Sequence, residues 1–171
     1  QAPPAGPGEG KLDQSCRAVV ACRRSDTPTE VAGVRLVKSI QELIAEADHF
    51  VLCAPHTNST EGIVDAALLQ TAKPGLHLIN VARGTLINDG ALRGWLDRDG
   101  AARASLDVCE PEPLFDPEHW LYHHDQVFLT PHSSWMGQPY MASALEQFCA
   151  NLHRYLKGEP LEGVVDLSLG Y

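Results

Sequence analysis

The chain has 171 residues, a formal net charge of −9 and only 6% aromatic residues. That length supports one domain with a substantial core. The acidic balance argues against a nucleic-acid or anionic-membrane surface, both of which need a basic footprint.

No apolar run approaches the length of a membrane span, and no charged-then-apolar leader opens the sequence, so a soluble, cytoplasmic protein is expected. Cys16, Cys22, Cys53, Cys109 and Cys149 are odd in number and form no CxxC pair, which reads as reduced thiols. The opening "QAPPAGPGEG" is Pro/Gly-rich and aperiodic, and residues 1–16 read as a disordered lead.

Strands and helices then alternate. "AVVAC" is short and β-branched. "SIQELIAEAD" sets Ile40, Leu43, Ile44 and Ala47 at helical spacing, with Ser39 and Glu42 as a capping-box pair. "HFVLCAP" is a strand ended by Pro55, and "DAALLQTAKPG" a short helix stopped at Pro74-Gly75. "LHLINVA" is a strand, "NDGALRGWL" a helix with Asn88 as N-cap, and "ARASLDV" and "QVFLTP" complete the strand series. The strands look apolar on both faces, as in a parallel sheet covered by helices on each side. Met141, Leu145, Phe148, Leu152 and Tyr155 make one stripe of a long C-terminal helix, followed by a turn and an extended tail. The fold class is therefore α/β: a Rossmann-like parallel sheet flanked by helices, with a long helix at the end.

In such a sheet, ligands bind beyond the carboxyl ends of the strands. Four of those ends carry polar or special residues: Ala54-Pro55-His56-Thr57, Val81-Ala82-Arg83-Gly84, Asp107 with "CEPEP", and Pro131-His132-Ser133-Ser134-Trp135. Folding should bring Arg83, Glu112 and His132 to one edge. Each alone has a bland reading: a loop charge, a solvated acid, a packing histidine. Together they are chemically coherent. Arginine holds a carboxylate in a bidentate fork and polarises an adjacent carbonyl. Histidine exchanges a proton near neutral pH, and a neighbouring carboxylate stabilises its charged form. That equipment suits reduction of a 2-oxo acid or oxidation of a 2-hydroxy acid, with hydride carried by a nicotinamide. His119, His123 and His124 lack a supporting ligand set, and no metal site is expected. Trp135 suits either a substrate pocket or packing against the long helix.

"INVARGTLIN", "LDVCEPEPL" and "LTPHSSW" resemble the D-isomer-specific 2-hydroxyacid dehydrogenase family, as do "ADHFVLCAPHTNSTEGIV" and "NLHRYLKGEPLEGVVD". The resemblance runs from about Val19 to Asp166. It implies a cofactor domain in which Arg83 binds the substrate carboxylate and carbonyl, His132 is the general acid/base, and Glu112, rather than Glu110, is its paired carboxylate. It also implies cofactor contacts at Pro55, Thr57, Val81, Ala82, Arg83, Asp107, His132, Ser133, Ser134 and Trp135, with Asp107 beside the nicotinamide carboxamide.

Two departures stand out. The family's Gly-rich phosphate loop is not found, since "GPGEG" has no strand ahead of it and reads as linker. The family's N-terminal substrate lobe is not seen either. The expected organisation is thus residues 17–136 as a partial NAD(P)-binding domain, incomplete on its N-terminal side, and 137–171 as a helix and tail returning to that lobe. After "AVVAC" stand Arg23, Arg24 and Ser25, which suit a 2′-phosphate, so NADP is favoured over NAD as the cofactor. The expected partner is a small 2-hydroxy or 2-oxo acid, without nucleic acid or membrane, and with a homodimer in a full-length form. The alternative is a non-catalytic nucleotide-binding or interaction module of the same fold.

Overall fold

The computed structural model describes residues 18–24, 29, 31–136 and 140–168. The proposed disordered lead, residues 1–16, lies outside the described residues, as does Ser25. The chain divides into two compact units, Gln1–Leu43 and Ile44–Tyr171.

In the first unit, β1 (Val19–Cys22) and β2 (Val34–Val37) pair in parallel, in register from Val19 with Val34 to Cys22 with Val37. Arg23 and Arg24 follow β1 directly. Helix α1 (Ile40–Glu46) follows β2. Ser39 Oγ accepts from Glu42 N–H at 3.2 Å, as a capping residue should. The Glu42 carboxylate turns back one residue further than expected, to Lys38 N–H at 3.4 Å.

The second unit holds a four-stranded parallel sheet in the order β3 (His49–Leu52), β4 (His77–Asn80), β5 (Arg103–Leu106) and β6 (Val127–Leu129). Parallel neighbours need crossovers. These run through α2 (Ala66–Leu69), α3 (Asp89–Arg98) and a 3-10 turn at Trp120–Tyr122. The helix starts follow from their caps: Asp65 Oδ1 accepts from Leu68 N–H at 2.8 Å, and Asn88 Oδ1 from Ala91 N–H at 2.9 Å.

The core packs Leu68, Leu69, Leu92, Trp95 and Leu96 of the helices with Phe50, Leu52, Leu78, Ala104 and Leu106 of the strands, all buried. Each buried leucine contributes about 1.5–3 kcal/mol relative to exposure.

Among the described residues the two faces of the second unit's sheet differ in burial. Along β3 and β5 burial alternates, and His49, Val51, Arg103 and Phe128 stay exposed. Within the second unit, the helical crossovers bury the row that includes Phe50, Leu78 and Ala104. An apolar run alone does not reveal which of its two faces finds a cover.

On the opposite face, His49 Nδ1 lies 3.3 Å from His77 Nδ1, and His77 Nε2 lies 2.8 Å from Ser105 Oγ. Burial, then the neighbouring His49, pushes the His77 pKa below its ordinary value of 6.5.

Helix α4 (Tyr140–Lys157) exposes Met141, Leu145, Phe148, Leu152 and Tyr155, the expected stripe. Gly158, at a φ of 70°, ends it, with Glu159 N–H donating to Arg154 O at 2.9 Å. The tail is not simply extended. Asn151 exchanges two hydrogen bonds with the Glu162 backbone, both 2.9 Å, and Arg154 pairs with the Glu162 carboxylate, so the tail straps back along the helix. Among the described residues no helix is long and apolar enough to cross a membrane.

The depressed His77 pKa fixes the sign of a pH effect. The unfolded chain takes up the proton first, so stability is complete above about pH 6.5 and declines as pH falls towards the lower folded pKa. Urea midpoints between pH 7.5 and 5.5 should therefore fall more steeply for the native chain than for His77→Gln. Parallel slopes would rule the effect out.

Candidate active site at the carboxyl edge of the sheet

Arg83 leaves β4 through a turn shaped by Asn80. This asparagine is fully buried, and its amide donates to Arg83 O at 2.9 Å while its Oδ1 accepts from Ala82 N–H at 3.0 Å. The Arg83 side chain is exposed, and its guanidinium folds onto the Ala82 carbonyl at 2.6 Å. Gly84 opens a 3-10 turn, Gly84–Leu86. A Cβ on Gly84 would overlap the Cys109 carbonyl and sit 2.7 Å from Glu110 N. The backbone after β4 thus lies directly against the start of the "CEPEP" loop.

In that loop Glu112 reaches His132. Its Oε1 lies 2.6 Å from His132 Nδ1, with each side chain a little over one-third exposed. The short contact fits an Nδ1–H donated to the carboxylate, leaving Nε2 to exchange a proton with a bound oxygen. His132 has a φ of 52°, a left-handed conformation for a residue with a Cβ. Such a backbone costs about 1–3 kcal/mol and persists only where its surroundings enforce it. Trp135 is exposed and donates its indole N–H to His132 O at 2.9 Å, spanning the same turn.

Asp107 enforces the turn. Its carboxylate accepts from Thr130 Oγ1, from Ser133 N–H at 2.9 Å and from Ser134 N–H at 2.8 Å. Burial works to raise its pKa, yet the Thr130 hydroxyl and the two backbone donors outweigh burial and hold the carboxyl well below the usual range. Burial, then Glu112, Glu110 and Asp89, pushes the Cys109 thiol up, which keeps it protonated and a poor nucleophile.

Two recesses open at this edge. One, of about 640 Å³, is lined by Pro55, His56, Val81, Ala82 and Arg83. The other, of about 320 Å³, is lined by Leu114, Tyr122, Leu129 and Pro131 beside Glu112 and His132. Thr57 sits near the first, but its hydroxyl is engaged with Ser59 and Thr60 at 3.0 and 3.1 Å in a local turn. The three histidines of the 119–124 segment have separate partners: the Leu121 amide, the Pro117 carbonyl and Asp97.

The structure therefore brings Glu112 and His132 into contact and sets Arg83 at the same edge, one loop away. Arg23 and Arg24 belong to the first unit and are described there. Sequence reasoning missed Asn80 and Thr130, and named Gly84 at its strand end without giving it a role. Asn80 had a signal, because it falls in the same alternate row of "LHLIN" as Leu76 and Leu78 and so was due to be buried.

A parallel α/β sheet with a histidine–carboxylate pair and an arginine turn at its carboxyl edge defines a Rossmann-like domain of the dehydrogenase class. A profile of the D-isomer specific 2-hydroxyacid dehydrogenase NAD binding domain matches residues 12–134. The chain belongs to that family.

Glyoxylate/hydroxypyruvate reductase A of Serratia proteamaculans is 34% identical over 151 residues, 86% of this chain and 47% of the relative. A D-isomer specific 2-hydroxyacid dehydrogenase of Xanthobacter autotrophicus, solved with NADPH and MES, superposes with a TM-score of 0.80 at 33% identity, over 90% of this chain and 62% of that one. An NADPH-dependent glyoxylate/hydroxypyruvate reductase of Sinorhizobium meliloti, solved with NADP and sulfate, gives 0.78 at 29% identity, over 90% and 49%. The chain spans about half the length of the curated relatives it matches.

The tight approach at Gly84 yields a clear expectation. Gly84→Ala should destabilise by about 1–3 kcal/mol in urea unfolding, the range for overpacking. Gly90→Ala is the control, since its Cβ meets nothing nearer than Asn88 Oδ1 at 3.7 Å. Equal stability of the two variants would contradict the contact.

Proposed function

We propose that the protein carrying this chain is an NAD(P)-dependent oxidoreductase of small 2-hydroxy or 2-oxo acids, with NADP(H) preferred. The observation that carries this reading is the His132–Glu112 pair at 2.6 Å on the carboxyl edge of the sheet. The recess of about 640 Å³ beside Pro55, Val81 and Ala82 fits a dinucleotide, being concave and at the edge where such sheets bind nucleotides. When bound, the nicotinamide cofactor carries the hydride.

The chain's own residues do the rest. Arg83 pairs with the substrate carboxylate through its planar fork and polarises the neighbouring carbonyl. His132 Nε2 gives a proton to the carbonyl oxygen as that carbon takes up hydride, and removes it in the reverse direction. Glu112 holds the ring and the tautomer through Nδ1. Pro55, Thr57, Val81, Ala82, Ser133, Ser134 and Trp135 line the approach of the cofactor. Arg23, Arg24 and Ser25, which follow β1 in the sequence, are the residues suited by type to a 2′-phosphate. Two solved relatives hold NADPH or NADP, which supports the cofactor preference.

Residues 17–136 supply part of the cofactor domain, and 137–171 return to a substrate lobe in a cytoplasmic, homodimeric enzyme. The curated relatives make glyoxylate and hydroxypyruvate the substrates to try.

Consumption of NADPH and NADH with each acid tests the proposal. NADPH should be used faster, and Arg23→Asp with Arg24→Ala should abolish that preference. His132→Asn should lower kcat by roughly 10²- to 10⁴-fold, the usual contribution of a general acid/base. Arg83→Gln should chiefly raise KM for the acid. No turnover of any 2-oxo or 2-hydroxy acid with either cofactor sinks the reading; a plain NADH preference sinks the cofactor assignment alone.

A further inference from the structure

Among the described residues, Asn80 and Asp107 are the buried polar side chains. They are neighbours: Asn80 ends β4, Asp107 follows β5, and Asp107 N–H donates to Asn80 O at 2.9 Å. Buried polar groups persist in a core only when they are hydrogen-bonded. The side-chain partners here all belong to two turns. Among the described residues the Asn80 side chain bonds to Ala82 and Arg83, and the Asp107 side chain to Thr130, Ser133 and Ser134. The first turn presents Arg83. The second presents His132 in its left-handed conformation.

Residue chemistry matches each task. Asn80 faces one N–H and one carbonyl, which needs a donor and an acceptor on one short side chain. Among the described residues Asp107 faces only donors, the Thr130 and Ser134 hydroxyls and the Ser133 and Ser134 amides, which an ionised carboxylate satisfies and an amide does not. Replacing Asp107 by its isostere asparagine, or Asn80 by the shorter serine, which does not reach both backbone partners, breaks one set of bonds and leaves the other intact.

We propose that Asn80 and Asp107 are a pair of positioning residues, each clamping one turn: Asn80 sets the backbone of Arg83, and Asp107 holds the turn of His132. The proposal rests on the reading of Arg83 and His132 as the carboxylate-binding and proton-transfer residues. It gives Asp107 a role in the chain's own turn beside the one expected of it at a cofactor amide, since each carboxylate oxygen can accept more than one donor.

Amide hydrogen exchange by NMR on the whole chain tests the clamps without any need for activity. In Asp107→Asn, exchange at Ser133 and Ser134 should quicken at least tenfold while Ala82 stays slow. In Asn80→Ser the pattern should reverse. The Ala104 amide, bonded to Gln126 O at 2.9 Å in the sheet, reports whether the fold survives. If Asp107→Asn loses that protection, Thr130→Val removes a single donor from the carboxylate and should quicken the same two serine amides.

The kinetic arm then separates positioning from mere stability. Asn80→Ser should raise KM for the 2-oxo acid at least fivefold with a smaller change in kcat. Asp107→Asn should lower kcat at least tenfold with a smaller change in KM. A purely structural role would lower kcat alone in both, in step with the folded fraction. Loss of protection in both turns by either variant, or in neither, overturns the clamps. The expected exchange pattern in a protein that turns over no such acid overturns instead the roles given to Arg83 and His132.

Discussion

The parallel ladder from β3 to β6 puts Leu52, Asn80, Leu106 and Leu129 in one register row across the sheet, and all four strands end on that row. Parallel hydrogen bonding makes this possible only with crossovers that return each strand to the same starting side. Four loops consequently leave the sheet at one edge. Arg83, Asp107 and His132 are far apart in the chain yet emerge as neighbours because their strands share that row. A slip of one residue in any pair would send Asn80 or Leu106 to the other face and dismantle the edge.

Electrostatics at this edge follow from what lies behind it. The ends of β4 and β5 are buried, so any polar group there needs partners. Asp107 meets that demand with donors from the loop beyond β6, and its low pKa reports how well they match it. Glu112, more exposed, is held differently, by an imidazole in a loop whose start lies against Gly84. One carboxylate shapes backbone and the other faces a proton-bearing ring. The difference comes from where each stands, not from residue type. Cys109, between them, is kept neutral by burial and by the same acids.

Much of the fold was legible because its signals are local. The Asn88 cap and the stripe of α4 each depend on residues within a few positions, and each element forms where those signals stand, whereas α2 ends at Leu69, ahead of the expected stop at Pro74-Gly75. Which face of each strand the crossovers of the second unit bury was not legible, because an apolar strand looks the same whichever face is covered. The tail after α4 was misjudged. Asn151 and Arg154 read as ordinary helix-surface residues, and only the folded chain brings Glu162 to them.

For the site, the sequence by itself determined the residue types and their order: an arginine after one strand, "CEPEP" after the next, a histidine after the last. It also decided which of the two glutamates to expect at the histidine, through family resemblance rather than spacing. Tertiary structure alone decided the contact between Glu112 and His132, twenty residues apart, and the closure of Gly84 onto Cys109. It alone revealed that Asn80 and Asp107 spend their hydrogen bonds on the turns that carry the chemistry. Those facts depend on register and on desolvation, and neither exists until the strands have paired and water has left the space between them.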